Sequence, residues 1–237
     1  MPCRMFGHCG KWEADVQALY LALKRACAHD PTLSAVTPGC TRHCHGWGYV
    51  IQAENGLFHY RTARSIYEDE VVLPPLRGQI RAIFHGRFAS NPDLAGHIFS
   101  HPFVSANQAE ISFLAHNGGV EPEHLPERMV DSEWVLEEIT RSGGLAAALP
   151  KLKARTRSAL NLLLLTISRA QGTPSSLQYF HYFKPREPDK AAYYQMFLGT
   201  MPGGRALVSS TFALDGAQGS GLRDIQPAEF DAQGALG

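Results

Sequence analysis

The chain has 237 residues, of which 44% are hydrophobic and 19% charged, enough apolar content to bury a substantial core and to exclude a disordered chain. Its 22 basic and 22 acidic residues cancel, so no net field draws it to nucleic acid or to an anionic membrane, and a small or neutral partner is expected. The longest apolar run, Leu160 to Leu165 extended by Thr166 and Ile167, is far short of the roughly 20 residues of a spanning helix, and the first thirty residues lack the apolar stretch of a signal peptide, which points to a cytosolic protein.

No internal repeat or long low-complexity linker divides the chain, so one domain over residues 1–237 is expected. Cys3 to Gly7 reads as a short strand, and Glu13 to Ala28 as a helix, with Val16, Leu19, Leu23 and Ala26 or Cys27 at helical spacing and Pro31 just beyond. A loop rich in Thr, Pro, Gly and Cys leads to Gly46–Ile51 and Leu57–Tyr60, which flank the turn signal Glu54-Asn55-Gly56 as a hairpin. Ile80 to Phe88 and Ile111 to Ala115 read as buried strands. Ser132 to Arg141 reads as a helix, with Asp131 as its cap and Gly143-Gly144 as its stop. Leu145 to Thr156 is a helical pattern interrupted near Pro150. The runs 160–167, 177–183, 193–198 and 206–214 are apolar or β-rich segments between Gly and Pro turns. Strands outnumber helices, which favours layered sheets over a doubly wound sheet. The tail after about residue 215 is polar, Gly-rich and expected to be partly loose.

Several side chains carry chemistry. Cys3 supplies a thiol near the start of the chain. An N-terminal cysteine has a built-in base in its own α-amine, whose pKa near 8 leaves a useful neutral fraction at physiological pH. His116-Asn117-Gly118-Gly119 follows a predicted strand. Asn with glycines is a turn signal, but a side-chain amide beside a closely approachable backbone N–H also suits the oxyanion of a tetrahedral intermediate. Arg87, at the end of a strand in Gly86-Arg87-Phe88-Ala89-Ser90, is placed to pair with a carboxylate. Asp131 reads either as a helix cap or as an acceptor for an ammonium. Arg87 and Asp131 together would hold the two ends of an α-amino acid and leave its side-chain amide facing Cys3.

The segments Cys3-Arg4-Met5-Phe6-Gly7, His45-Gly46-Trp47-Gly48-Tyr49, Ser100-His101-Pro102-Phe103, His116-Asn117-Gly118 and Asp131-Ser132-Glu133 resemble, in order and residue type, the class II glutamine amidotransferase family over most of the first 140 residues. They are similar above all to its free-standing branch, which includes γ-glutamyl amide hydrolases of thiohistidine biosynthesis. The resemblance implies an α+β fold, a four-layer αββα sandwich of two mostly antiparallel sheets of the N-terminal nucleophile hydrolase type. It implies Cys3 as nucleophile, Asn117 and Gly118 as the oxyanion hole, Arg87 with Ser90 at the substrate α-carboxylate, and Asp131 at the α-amine. It implies no cofactor. The expected ligand is glutamine or a γ-glutamyl small molecule, and an ammonia-accepting synthase subunit is a partner that the resemblance admits.

One departure bears on the chemistry. Loss of the initiator methionine alone leaves Pro2 ahead of Cys3, whose nitrogen is then an amide and no base. Two readings follow: a hydrolase with Cys3 exposed by further trimming, or a glutamine- or glutamate-binding pseudoenzyme or regulatory subunit that keeps Arg87 and Asp131. Cys3, His8, Cys9, Cys40, His43, Cys44 and His45 contain enough soft ligands for a zinc site, but their spacing matches no recognised knuckle, and no metal is expected.

Overall fold

A computed structural model describes residues 2–89, 91–170, 175–211 and 220–237. Their chain order is β1 (Cys3–Gly10), α1 (Glu13–Ala28), β2 (Trp47–Ala53), β3 (Gly56–Thr62), β4 (Ile80–Arg87), β5 (Phe103–Ala106), β6 (Glu110–Val120), α2 (Asp131–Arg141), α3 (Leu145–Arg155), β7 (Thr156–Ser168), β8 (Ser176–His181), α4 (Pro188–Tyr194), β9 (Met196–Met201), β10 (Gly204–Ser209), β11 (Arg223–Pro227) and β12 (Ala232–Ala235). Two sheets form, in the orders β11-β9-β10-β1-β4-β2-β3 and β12-β8-β7-β6-β5. Every neighbouring pair is antiparallel.

The layers follow from alternation along the strands. On β1, Phe6 turns toward α1, where it joins Val16, Leu19 and Leu23 of that helix and Phe84 of β4 in one core. Met5 and Cys9 turn the other way and meet Phe113, Ala115, Leu163 and Leu165 of the second sheet. The opposite faces of β6 and β7 offer Leu114, Leu160, Leu162 and Leu164 to Trp134, Val135, Ile139 and Leu152 of α2 and α3. Helix, sheet, sheet and helix are thus held by three stacked cores, which is the expected α+β αββα sandwich. Trp47, fully buried, stacks with Tyr20 at 5.5 Å and donates its indole N–H to Asp69 at 2.9 Å.

Four expectations are corrected. Helix α3 runs through Pro150 without interruption; the proline removes only the hydrogen bond it would have donated to the preceding turn. Tyr193 and Tyr194 end helix α4 rather than starting a strand, because Pro188 supplies the fixed φ that suits a first helical turn. Asp131 is the first residue of α2, and Val130 occupies the cap; Glu133 reaches back to the Val130 N–H at 3.0 Å, so the first turn is closed by a residue inside it. Of the tail expected to be partly loose, residues 223–227 and 232–235 are edge strands, one on each sheet; residues 215–219 lie outside the described residues.

Candidate active site

Strands β1 and β4 pair in a register that sets Cys3 opposite Arg87, and both residues are fully buried. The strand β6 of the facing sheet brings Asn117 to the same place: the Cys3 N–H donates to Asn117 Oδ1 at 3.0 Å. That bond fixes the orientation of the amide, since only the oxygen can accept it. The Nδ2 of Asn117 is buried and has no hydrogen-bond partner among the described residues. A buried donor without a partner costs about 1–3 kcal/mol, a cost expected where a group is kept for a ligand.

Gly118 follows at φ +152°, where a side chain would be strained, and a Cβ there would overlap the Ala159 carbonyl of β7. The ladder between β6 and β7 shifts register between Gly118 and Val120, a bulge that turns the end of β6 toward α2. There Asp131 Oδ2 accepts the Val120 N–H at 3.0 Å. Behind it, His116 Nδ1 bonds Ser132 Oγ at 3.0 Å.

Arg87 donates from Nη1 to the Leu94 carbonyl at 2.8 Å. Burial works against its charge, while Cys3, Asp131 and Glu133 favour it. The loop before β2 holds the turn after Arg87: His45 N–H donates to the Arg87 carbonyl at 3.0 Å, the Arg87 N–H to the Gly46 carbonyl at 2.8 Å, and the Ala89 N–H to His45 Nδ1 at 2.9 Å. Gly86 leaves room behind the arginine, where a Cβ would overlap the thiol of Cys27 on α1. Arg87 and Asp131 line one cavity of about 280 Å³ together with Leu94, Val120, Met129 and Arg157. The two charges expected at the ends of an amino acid therefore face a common space. Ser90 lies outside the described residues.

Burial pushes the Cys3 thiol up, so its protonated form is favoured and nucleophilic attack requires a base. The sulfur lies 4.0 Å from the Phe88 carbonyl. Cys3, Cys9, Cys27, Cys40 and Cys44 are free thiols, and no group of three His, Cys, Asp or Glu side chains placed to hold a metal ion occurs among the described residues. Nor is any helix among them long and apolar enough to cross a membrane.

Sequence reasoning missed the groups behind Cys3. Arg4, fully buried, donates from Nε to Asp30 at 2.6 Å, from Nη2 to Thr32 at 2.6 Å and from Nη1 to the Tyr193 carbonyl at 3.2 Å. Its guanidinium lies 3.9 Å from the centre of the Tyr193 ring. His43 and Thr211 also bond Asp30, at 2.8 and 3.0 Å. Burial alone would raise the Asp30 carboxyl, but the His43 hydrogen bond and the Arg4 charge hold it well below the usual carboxylate range. An arginine next to a candidate nucleophile and a β-breaking Asp30-Pro31 were visible in the sequence; Tyr193 carried no signal.

No protein-family model and no curated protein sequence matches the chain. Solved structures do, among them the following two. One, described as the allosteric regulatory enzyme of purine biosynthesis, has a TM-score of 0.64 at 20% identity, over 98% of this chain and 46% of that one. The chain thus spans less than half the length of that enzyme. The other, a predicted glutamine amidotransferase from Pseudomonas aeruginosa PA01, has a TM-score of 0.48 at 14% identity, over 99% of this chain and 92% of that one. At such identity the likeness is one of fold: the chain shares with the purine-biosynthesis enzyme a sandwich of two antiparallel sheets between helices.

Proposed function

We propose that the protein hydrolyses the side-chain amide of glutamine or of a γ-glutamyl amide, with Cys3 as nucleophile. The observation that carries this reading is the Asn117 amide, which holds the Cys3 nitrogen with its oxygen and keeps a buried donor that has no partner among the described residues. Arg87 receives the substrate α-carboxylate, with Ser90 as its neighbour in sequence, and Asp131 receives the α-ammonium. The scissile amide then points to Cys3.

In the reaction the α-amine of Cys3 takes the thiol proton and sulfur attacks the γ-carbonyl carbon. The resulting oxyanion is stabilised by Asn117 Nδ2 and the main chain at Gly118. Its collapse breaks the C–N bond, and the α-ammonium returns the proton to the departing ammonia or amine. Water then attacks the thioester, releasing glutamate and restoring the thiol. No cofactor is required. The base exists only after the Pro2–Cys3 bond is cut, so processing is part of the proposal.

The second reading, a binding protein without turnover, is favoured by one observation: Pro2 is buried, and the Cys3 nitrogen is engaged as an amide. Intact mass, glutaminase activity and glutamate binding by calorimetry separate the two. The hydrolase reading expects a chain beginning at Cys3, ammonia release, and loss of turnover with retained glutamate binding in Cys3→Ala. Equal turnover by Cys3→Ala refutes it. Glutamate binding by an inactive chain that retains Pro2 supports the binding protein. A requirement for a second protein would identify an ammonia-accepting synthase partner.

A further inference from the structure

The main-chain groups of Cys3 are held by side chains distant in sequence. Pairing of β1 with β10 runs from Phe6↔Val208 to Gly10↔Gly204, so it stops short of Cys3. The Cys3 N–H goes instead to Asn117, and the Cys3 carbonyl accepts from the Tyr193 hydroxyl at 3.4 Å. A nucleophile at a fraying strand end samples many orientations unless both its peptide groups are fixed.

Tyr193 is itself fixed from several sides. Its ring lies on the Arg4 guanidinium, and its carbonyl accepts from Arg4 Nη1 at 3.2 Å and from Ser210 Oγ at 2.9 Å. The next carbonyl, that of Tyr194, accepts from Asn161 Nδ2 at 2.7 Å. Asn161 is the β7 residue opposite Asn117 in the ladder. The end of α4 is thereby clamped to both sheets, and Arg4 is anchored in turn to Asp30. A helix C-terminus carries partial negative charge, which suits the buried cation set against it.

From this geometry we infer that Tyr193 is a positioning residue for the nucleophile: its hydroxyl, clamped through Arg4, Ser210 and Asn161, fixes the Cys3 carbonyl and hence the direction of the thiol. The kinetic arm of the inference rests on the hydrolase reading. A second arm does not.

The test is Tyr193→Phe, which keeps the ring over Arg4 and removes only the hydroxyl. Three quantities are read: kcat and KM for glutamine, the melting temperature, and amide hydrogen exchange of the peptide covering residues 3–6. The expected result is a kcat lower by about 10- to 100-fold at unchanged KM, a melting temperature within a few degrees of wild type, and faster exchange confined to that peptide. Unchanged kcat and exchange overturn the inference. So does a parallel loss of kcat, melting temperature and protection across both sheets, which is the signature of a merely structural residue. If the wild-type protein hydrolyses neither glutamine nor γ-glutamyl amides, the hydrolase reading fails, and the exchange arm alone decides on Tyr193. Ser210→Ala, which loosens the Tyr193 carbonyl and keeps the hydroxyl, gives a smaller shift in the same direction and decides the matter should Tyr193→Phe fail to fold.

Discussion

Acid should weaken this protein well above the range in which carboxylates titrate, because it buries histidines as neutral rings. Burial lowers His8 and His181 from an ordinary value of 6.5 to about 4. His8 sits on β1 between Ala82 and Ala206, small neighbours that give its ring space. His181 bonds Asn161 through Nδ1 at 2.8 Å. A group whose folded pKa lies below its unfolded value takes up protons first in the unfolded chain, so stability is lost as pH falls from 6.5 to about 4. At pH 5 each ring contributes a loss of about 2 kcal/mol, hence about 4 kcal/mol for the two. For a chain of this size that is a fall in melting temperature of roughly 8–16 °C between pH 7.5 and pH 5. His43, His85 and His101 are lowered too, first of all by burial, and add in the same direction. Thermal and urea denaturation at the two pH values measure the effect. Replacing His8 by leucine should reduce the pH-dependent loss by about 2 kcal/mol whatever it does to the baseline. A melting temperature that stays level from pH 7.5 to pH 5, or an unchanged loss in the His8→Leu protein, would refute the reasoning.

Other substitutions test other parts of the architecture. Gly118→Ala places a Cβ against the Ala159 carbonyl at a φ of +152° and is expected to cost about 2–4 kcal/mol, read by urea denaturation; a neutral result would mean the bulge relaxes freely. Arg87→Lys keeps the charge but loses the planar fork, so KM for glutamine should rise by about tenfold with kcat largely retained; an unchanged KM would remove Arg87 from carboxylate recognition. Arg4→Leu leaves the buried Asp30 without its cation and should cost about 3–5 kcal/mol, much of it recovered in the Arg4→Leu, Asp30→Leu double variant. Strict additivity of those two changes would show that the pair does not act as a unit.

What the sequence disclosed, it disclosed through periodicity and local signals. Helix α1 spans Glu13–Ala28 as its apolar spacing predicts, because that stripe faces a single core. The hairpin turns at Glu54-Asn55-Gly56 for local steric reasons. Strands β11 and β12 carry no such mark: as edge strands they bury little, so no apolar alternation is imposed on them. Helix α4 was hidden for the opposite reason, since Tyr193, Tyr194, Met196, Phe197 and Leu198 form one apolar run whose first part is helix and whose remainder is strand. At the site, the residue types of Cys3, Arg87, Asn117, Gly118 and Asp131 were legible, but their meeting depends on which strands neighbour each other. The register of Cys3 with Arg87 and the stacking of β6 over β1 are tertiary facts. The hydroxyl of Tyr193 reaches Cys3 across 190 positions of sequence, a distance over which no local pattern operates.

The place of β1 in the first sheet also sets a schedule. This strand is interior, and one of its neighbours, β10, begins only at Gly204. At a synthesis rate of about 5–20 residues per second, roughly 10–40 seconds separate emergence of the first strand from that of its partner. On the hydrolase reading, which needs the Pro2–Cys3 bond cut, that bond is accessible throughout this interval, whereas in the finished sandwich Pro2 is buried. Trimming would then compete with closure of the sheet while the chain is still being made.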